Sequence, residues 1–195
     1  MKRILLNVLA VVLLVAAFTA CGGGSGGFGG SSYTIKMTTE ESGVGFYLAG
    51  SGVATVDWGD GSEKVSLTLN EEGVLFRHDY PSATIRTITI NGDNITVLRC
   101  TSSQVTSLDV RGATALTQLF AIGNFTSLDV SKNTALTKLE VGHQLTAAAL
   151  NALFGTLHSN TISGETKTIN IYGNPGAADC DRGIAESKGW TIGTW

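Results

Sequence analysis

VTSLDVRGATALTQLFAIGN, residues 105–124, is followed at once by FTSLDVSKNTALTKLEVGHQ, residues 125–144. The two segments align without gaps and agree at ten of 20 positions, including Leu108 with Leu128, Val110 with Val130, Leu116 with Leu136 and Leu119 with Leu139. An echo of this kind is the sequence signature of stacked repeats. A finer L-x-x-L-x-L pattern is nested inside it and begins at Ile85, Ile95, Val105, Leu116, Phe125 and Leu136, with a broken instance at Leu145. Asn124 and Asn133 stand where a short strand ends; Asp93, Ser103, Ala113 and His143 replace Asn elsewhere, so an asparagine ladder is incomplete. The physical reason for the echo is burial. One coil alone leaves its Leu, Val and Ile side chains wet, whereas coils stacked about 4.8 Å apart close a core and pair their backbones.

The wording TSLDVSKNTALTKL, within residues 126–139, resembles the nested leucine-rich repeats of surface proteins of Bacteroidetes. That resemblance implies a right-handed solenoid of parallel strands over residues 85–144 and a terminal cap over residues 145–195. So few coils need covers at both ends. The distal cover is legible as residues: Leu145, Ala149, Leu150, Leu153, Phe154 and Leu157 recur at helical spacing behind an N-cap at Thr146. A strand over Thr168–Tyr172, a turn at Gly173-Asn174-Pro175, a second helix over Ala177–Lys188 stopped by Gly189, and a last segment from Trp190 to Ile192 follow. Trp190 and Trp195 read as cap packing.

Upstream, residues 33–84 show short strand signals separated by Gly, Asn and Glu clusters. Tyr33, Ile35 and Met37 alternate with polar residues; Phe46 with Leu48, and Val53 to Trp58, suggest two strands; Val65, Leu67 and Leu69, then Leu75 to His78, then Ile85 to Ile90 suggest three more. Val56-Asp57-Trp58-Gly59-Asp60-Gly61-Ser62, followed by His78-Asp79-Tyr80 and Thr87-Ile88-Thr89-Ile90, resembles the polycystic kidney disease (PKD) repeat and implies an immunoglobulin-like β-sandwich. Gly59 and Gly61 suit a turn with φ > 0, Asp57 and Asp60 can accept its backbone N–H groups, and Trp58 would fill the core. Two carboxylates are too few for a good Ca²⁺ site, and the Asp-x-Asp-x-Asp-Gly loop is absent. The expected whole is mainly β with a small α component: an immunoglobulin/PKD-like β-sandwich, then a short leucine-rich-repeat solenoid with a helical C-terminal cap.

The start of the chain reads as targeting. Lys2 and Arg3 precede an apolar run from Ile4 to Phe18, and small residues lead to Cys21, the pattern of a secretory signal over residues 1–20. The run is short for a membrane span; an uncleaved anchor is the alternative. Phe18-Thr19-Ala20-Cys21 resembles a bacterial lipobox, which implies cleavage before Cys21, its lipidation, and anchoring to the membrane; Phe18 departs from the usual Leu. Residues 21–32 are then the lipidated cysteine and a Gly/Ser tether. The tether's formal GxGxxG, at Gly22, Gly24 and Gly27, follows no strand and opens no βαβ unit, which excludes a dinucleotide site. An outer-membrane lipoprotein is implied, facing either the surface or the periplasm: such proteins carry an acidic stretch after the cysteine as a surface-export signal, and Gly22 to Gly30 contains no acid.

With 13 basic against 16 acidic residues, Lys2 and Arg3 lost with the signal, and no basic cluster, nucleic acid is not an expected partner. Cys100 and Cys180 read as two separately buried thiols, with a disulfide as the alternative in an oxidising envelope. The histidines are His78, His143 and His158; neither H-E-x-x-H nor G-x-S-x-G occurs, and no carboxylate pair stands out. The chain therefore reads as a non-catalytic module with no cofactor and no metal, binding protein or, alternatively, glycan at the cell envelope, or as a purely structural envelope component. Strand positions between the buried ones point outward: Thr87, Thr89, Ser107, Asp109, Ser127 and Asp129 on one set, Val97, Arg99, Gln118, Phe120, Lys138 and Glu140 on the other. Phe120 is the sharpest candidate, a large ring at a position expected to be exposed and taken in neighbouring coils by Arg99 and Glu140. Arg99, Gln118, Lys138 and Glu140 surround it as candidate ligand contacts. Asp109 and Asp129 would stack as like charges, which a ligand cation or a bond to the adjacent turn would relieve.

Overall fold

A computed structural model describes residues 33–101 and 105–193. The expected signal segment, Cys21, the tether and Trp195 lie outside the described residues. The chain is mainly β with a mixed sheet and few helices: β1 (Tyr33–Thr39), β2 (Gly43–Asp57), β3 (Val65–Thr68), β4 (Val74–Asp79), β5 (Arg86–Cys100), β6 (Val105–Asp109), β7 (Gln118–Ile122), β8 (Lys138–Gly142), α1 (Ala147–Thr156), β9 (Lys167–Asn170), α2 (Gly183–Glu186) and β10 (Trp190–Gly193).

The 20-residue echo has a direct structural counterpart. β7 and β8 are parallel, with Leu119 opposite Leu139 and Phe120 opposite Glu140. β5 precedes them and β9 and β10 follow, all parallel. Side chains directly opposite one another project to the same side of the sheet, so Leu98, Leu119, Leu139 and Ile169 form one inward row, each at most 1% exposed. Burying one such aliphatic side chain contributes on the order of 1.5–3 kcal/mol. The entry to each strand repeats too: the Thr117 N–H donates to the Thr96 carbonyl, the Thr137 N–H to Thr117, and the Thr168 N–H to Thr137, each at 2.8 Å.

β1–β4 make antiparallel pairs: β2 pairs with β3, β4 and β5, the last from Thr89 to Arg99, and β1 lies between β5 and β6. Trp58 is buried at the turn read from the sequence. Gly59 and Gly61 have φ of 75° and 83°. Asp57 accepts the Gly59 N–H and Asp60 accepts the Ser62 N–H, both at 3.0 Å. The Tyr80 hydroxyl donates to the Trp58 carbonyl at 2.9 Å, and burial together with the negative Asp60 pushes the phenol's pKa up to about 12. His78 stacks on Trp58 and meets Asp60 at 2.8 Å. One hydrophobic cluster runs unbroken from Ile35 through Trp58 and the ladder to Trp190.

Several expectations need correction. Phe46–Leu48 and Val53–Asp57 belong to one strand, β2, which shifts register at Gly50 and between Ser51 and Ala54, and Trp58 lies just past its end. Arg86 to Ile90 and the instance at Ile95 merge likewise into β5, while Ile85 lies before that strand begins and is 71% exposed. Residues 125–129 form no strand although residues 105–109 do: β1 has two edges, and β5 and β6 occupy both. The second helix shrinks to Gly183–Glu186 behind a run of turns, and the last segment is the strand β10. Asn124 is exposed. Asn133, by contrast, is fully buried and donates from Nδ2 to the Val110 and Ala113 carbonyls of the preceding repeat.

α1 starts where the sequence places it, with Thr146 Oγ1 accepting the Ala149 N–H at 3.2 Å. Its buried Leu150, Leu153 and Phe154 join the core. Lys188 closes its other end, donating from Nζ to the carbonyls of Phe154, Gly155 and Leu157, where a cation complements the helix dipole. Cys100 is buried, Cys180 is half-buried, and no disulfide joins them.

Candidate binding face

The inward row fixes an outward one beside it. Leu75 pairs with Tyr47, Tyr47 with Arg99, Arg99 with Phe120, Phe120 with Glu140 and Glu140 with Asn170. One band of side chains therefore crosses β4, β2, β5, β7, β8 and β9, about 24 Å at the usual strand spacing. A second row beside it carries Ala49, Val97, Gln118, Lys138 and Thr168. The sequence-derived candidates Arg99, Gln118, Phe120, Lys138 and Glu140 thus share one face.

Phe120 departs from its expected exposure: it is half-buried, as are Gln118 and Glu140, while Arg99 and Lys138 are exposed. The reason is local. The Arg99 guanidinium lies over the Phe120 ring, 4.5 Å from its centroid, and Lys138 Nζ sits 5.2 Å from the same centroid. Each is a cation–π contact of roughly 0.5–1 kcal/mol at an exposed site. Among the described residues neither Arg99, Lys138 nor Glu140 forms an ion pair.

Tyr47 and Leu75 extend this band into the antiparallel part and are 46% and 47% exposed. Sequence reasoning missed them. The alternation of Phe46 and Leu48 places Tyr47 outward, but only the pairing of β2 with β5 brings it beside Arg99. Two hollows border Tyr47: one of about 270 Å³ reaches Glu71, Glu72 and Val97, the other, about 440 Å³, runs along Gly43–Gly45 to Leu75 and Arg77.

The other outward set behaves differently. Asp109 accepts the backbone N–H and the guanidinium of Arg111, and Asp129 accepts the Ser131 N–H at 2.8 Å. Arg111 also reaches Asp129 at 4.0 Å. The Arg111 side chain chiefly holds the Asp109 carboxyl below its ordinary pKa, and the Ser131 N–H does the same for Asp129. The like charges are thus relieved by the adjacent turn and by the chain's own arginine. Lys167, buried against Trp190, has its pKa lowered by desolvation. Its Nζ donates to the Lys188 and His158 carbonyls, a structural clamp.

No protein-family model, curated protein or solved structure matches this chain. What the face can do follows from its side chains. It offers two exposed apolar groups, two cations resting on an aromatic ring, and neutral hydrogen-bonding groups beside them. Among the described residues no cluster of three or more His, Cys, Asp and Glu side chains is placed to hold a metal, and no helix is long and apolar enough to cross a membrane.

Proposed function

We propose that this chain is a non-catalytic lipoprotein of the cell envelope, anchored through Cys21, that binds another protein through the Leu75–Tyr47–Arg99–Phe120–Glu140 face. In this reading residues 33–84 are a PKD-like β-sandwich, residues 85–144 a short leucine-rich-repeat solenoid and residues 145–195 its cap. The repeat wording and the parallel register of β7 and β8 support the solenoid; the Trp58–Ser62 turn, with Tyr80 bonded back to Trp58, supports the sandwich. The observation that carries the function is the band itself: Tyr, Phe and Arg, residue types enriched at protein interfaces, line up across strands from both parts of the chain. A glycan platform is the weaker reading, because a sugar stacks on an open ring face and Arg99 covers that of Phe120.

The test uses the full chain in detergent. Wild type and Tyr47→Ala/Phe120→Ala are compared for capture of envelope proteins and for binding on a glycan array. Losing one central anchor typically costs more than about 1 kcal/mol, roughly fivefold in affinity, so the double variant is expected to lose capture. Capture equal to wild type, or binding to glycans alone, overturns the proposal. No capture by wild type would point to the purely structural role.

A further inference from the structure

The face also says what kind of polypeptide it takes. Long basic side chains on a sheet surface ordinarily find a carboxylate or extend into water. Arg99 and Lys138 are exposed, yet both lie against Phe120, at 4.5 and 5.2 Å from its centroid, and neither meets a carboxylate among the described residues. Contact with the ring restrains both side chains, so less side-chain freedom is lost when an anion arrives. The protein's own acids bracket this spot. Glu140 is paired with Phe120 on the side away from Arg99, and Glu71 and Glu72 line the hollow that Arg99 and Tyr47 share. A polyacid would be repelled at both ends; a single carboxylate would not. Tyr47 and Leu75, exposed in the same band, supply an apolar landing two to three strands away, roughly 10–14 Å, which an extended chain spans in about three to four residues.

We propose that Arg99 and Lys138, propped on Phe120, clamp one Asp or Glu side chain of a partner polypeptide, whose aliphatic or aromatic residue three to four positions away rests on Tyr47 and Leu75. This rests on the binding-face reading above and adds the partner's chemistry to it. The charges choose the acid, the flanking glutamates reject acidic runs, and the apolar end sets the spacing.

A random 12-residue peptide library displayed on phage is panned on the full chain in detergent, on wild type, Arg99→Gln/Lys138→Gln and Arg99→Lys. Wild type is expected to enrich peptides with an isolated Asp or Glu three to four residues from an apolar residue. The double Gln variant is expected to lose at least tenfold of that enrichment, and Arg99→Lys to retain part of it. Enriched peptides without an acid, or acid enrichment unchanged in the double variant, overturns the assignment. So does binding of uronic-acid or sulfated glycans, tested in parallel, with no peptide enriched. If the double Gln variant captures envelope protein like wild type while Tyr47→Ala/Phe120→Ala does not, the charge clamp falls and the binding face stands.

Discussion

Two buried asparagines make the same kind of bond, and removing each should have a different cost. Asn174 is 7% exposed and fully engaged: Nδ2 donates to the Val141 carbonyl at 2.8 Å and to Ile171 at 2.9 Å, while Oδ1 accepts the N–H of buried Leu145 at 3.0 Å. Asn133 donates to Val110 at 2.9 Å and Ala113 at 2.8 Å, but its Oδ1 has no donor among the described residues. A net hydrogen bond is worth roughly 0.5–1.5 kcal/mol, and an unsatisfied buried polar group costs roughly 1–3 kcal/mol. Asn174→Ala loses three bonds and orphans the Leu145 N–H, so it should destabilise by about 3 kcal/mol. Asn133→Ala loses two bonds but also removes an unpaired oxygen, and its two carbonyls each keep a backbone N–H, from Ala113 and Leu116; about 1 kcal/mol is expected. Equilibrium unfolding in urea, followed by circular dichroism, reads both. With a slope of about 2 kcal/mol per M the midpoints fall by roughly 1.5 M and 0.5 M. Equal shifts, or a larger one for Asn133→Ala, would refute the hydrogen-bond reasoning.

Three further outcomes follow from the packing. Leu139→Ala opens the centre of the inward row and should cost about 2–5 kcal/mol, read as a fall in thermal midpoint. Gly59→Ala would force a side chain onto a backbone with φ of 75° and drive its Cβ into the Thr87 carbonyl oxygen; failure to accumulate folded protein is expected, and wild-type stability would contradict the turn geometry. Hydrogen bonds from the Ser62 hydroxyl and N–H, then from His78, hold the Asp60 carboxyl far below its ordinary pKa. A depressed folded-state pKa adds stability above the unfolded value near pH 3.9 and loses it as pH falls toward the folded one. Wild type should therefore lose urea resistance below about pH 4 more steeply than Asp60→Asn, and parallel curves would remove Asp60 from the account.

Local periodicity carried the parallel part of the molecule. The spacing of Leu119 and Leu139 implies that they face each other, and they do. The Trp58 turn was legible because glycine conformation and aspartate bonding are decided within a few residues. What stayed hidden depends on distant chain. Ile85 fits the repeat pattern yet points to water, because β5 takes its inward set from Ile88, Ile90, Ile95 and Leu98. The segment from Phe125 copies its predecessor but finds no free edge on β1. Half of the candidate face was visible as outward repeat positions. Tyr47 and Leu75 were not, since nothing near them in sequence says that β2 will lie against β5. Asn174, read as part of a turn, bonds across to Val141 and Leu145 much as Asn133 does to the preceding repeat; its place among Gly and Pro disguised it.

The strand from Arg86 to Cys100 lies antiparallel to β2 along one edge, while its other edge passes from antiparallel β1 at the start to parallel β7 at the end. Neither end of the molecule owns it. A protease cut within it would strip both halves of a shared wall, and neither fragment could be expected to survive alone. Heating should accordingly melt the molecule in one calorimetric peak, with a tug on one half felt as loosening in the other.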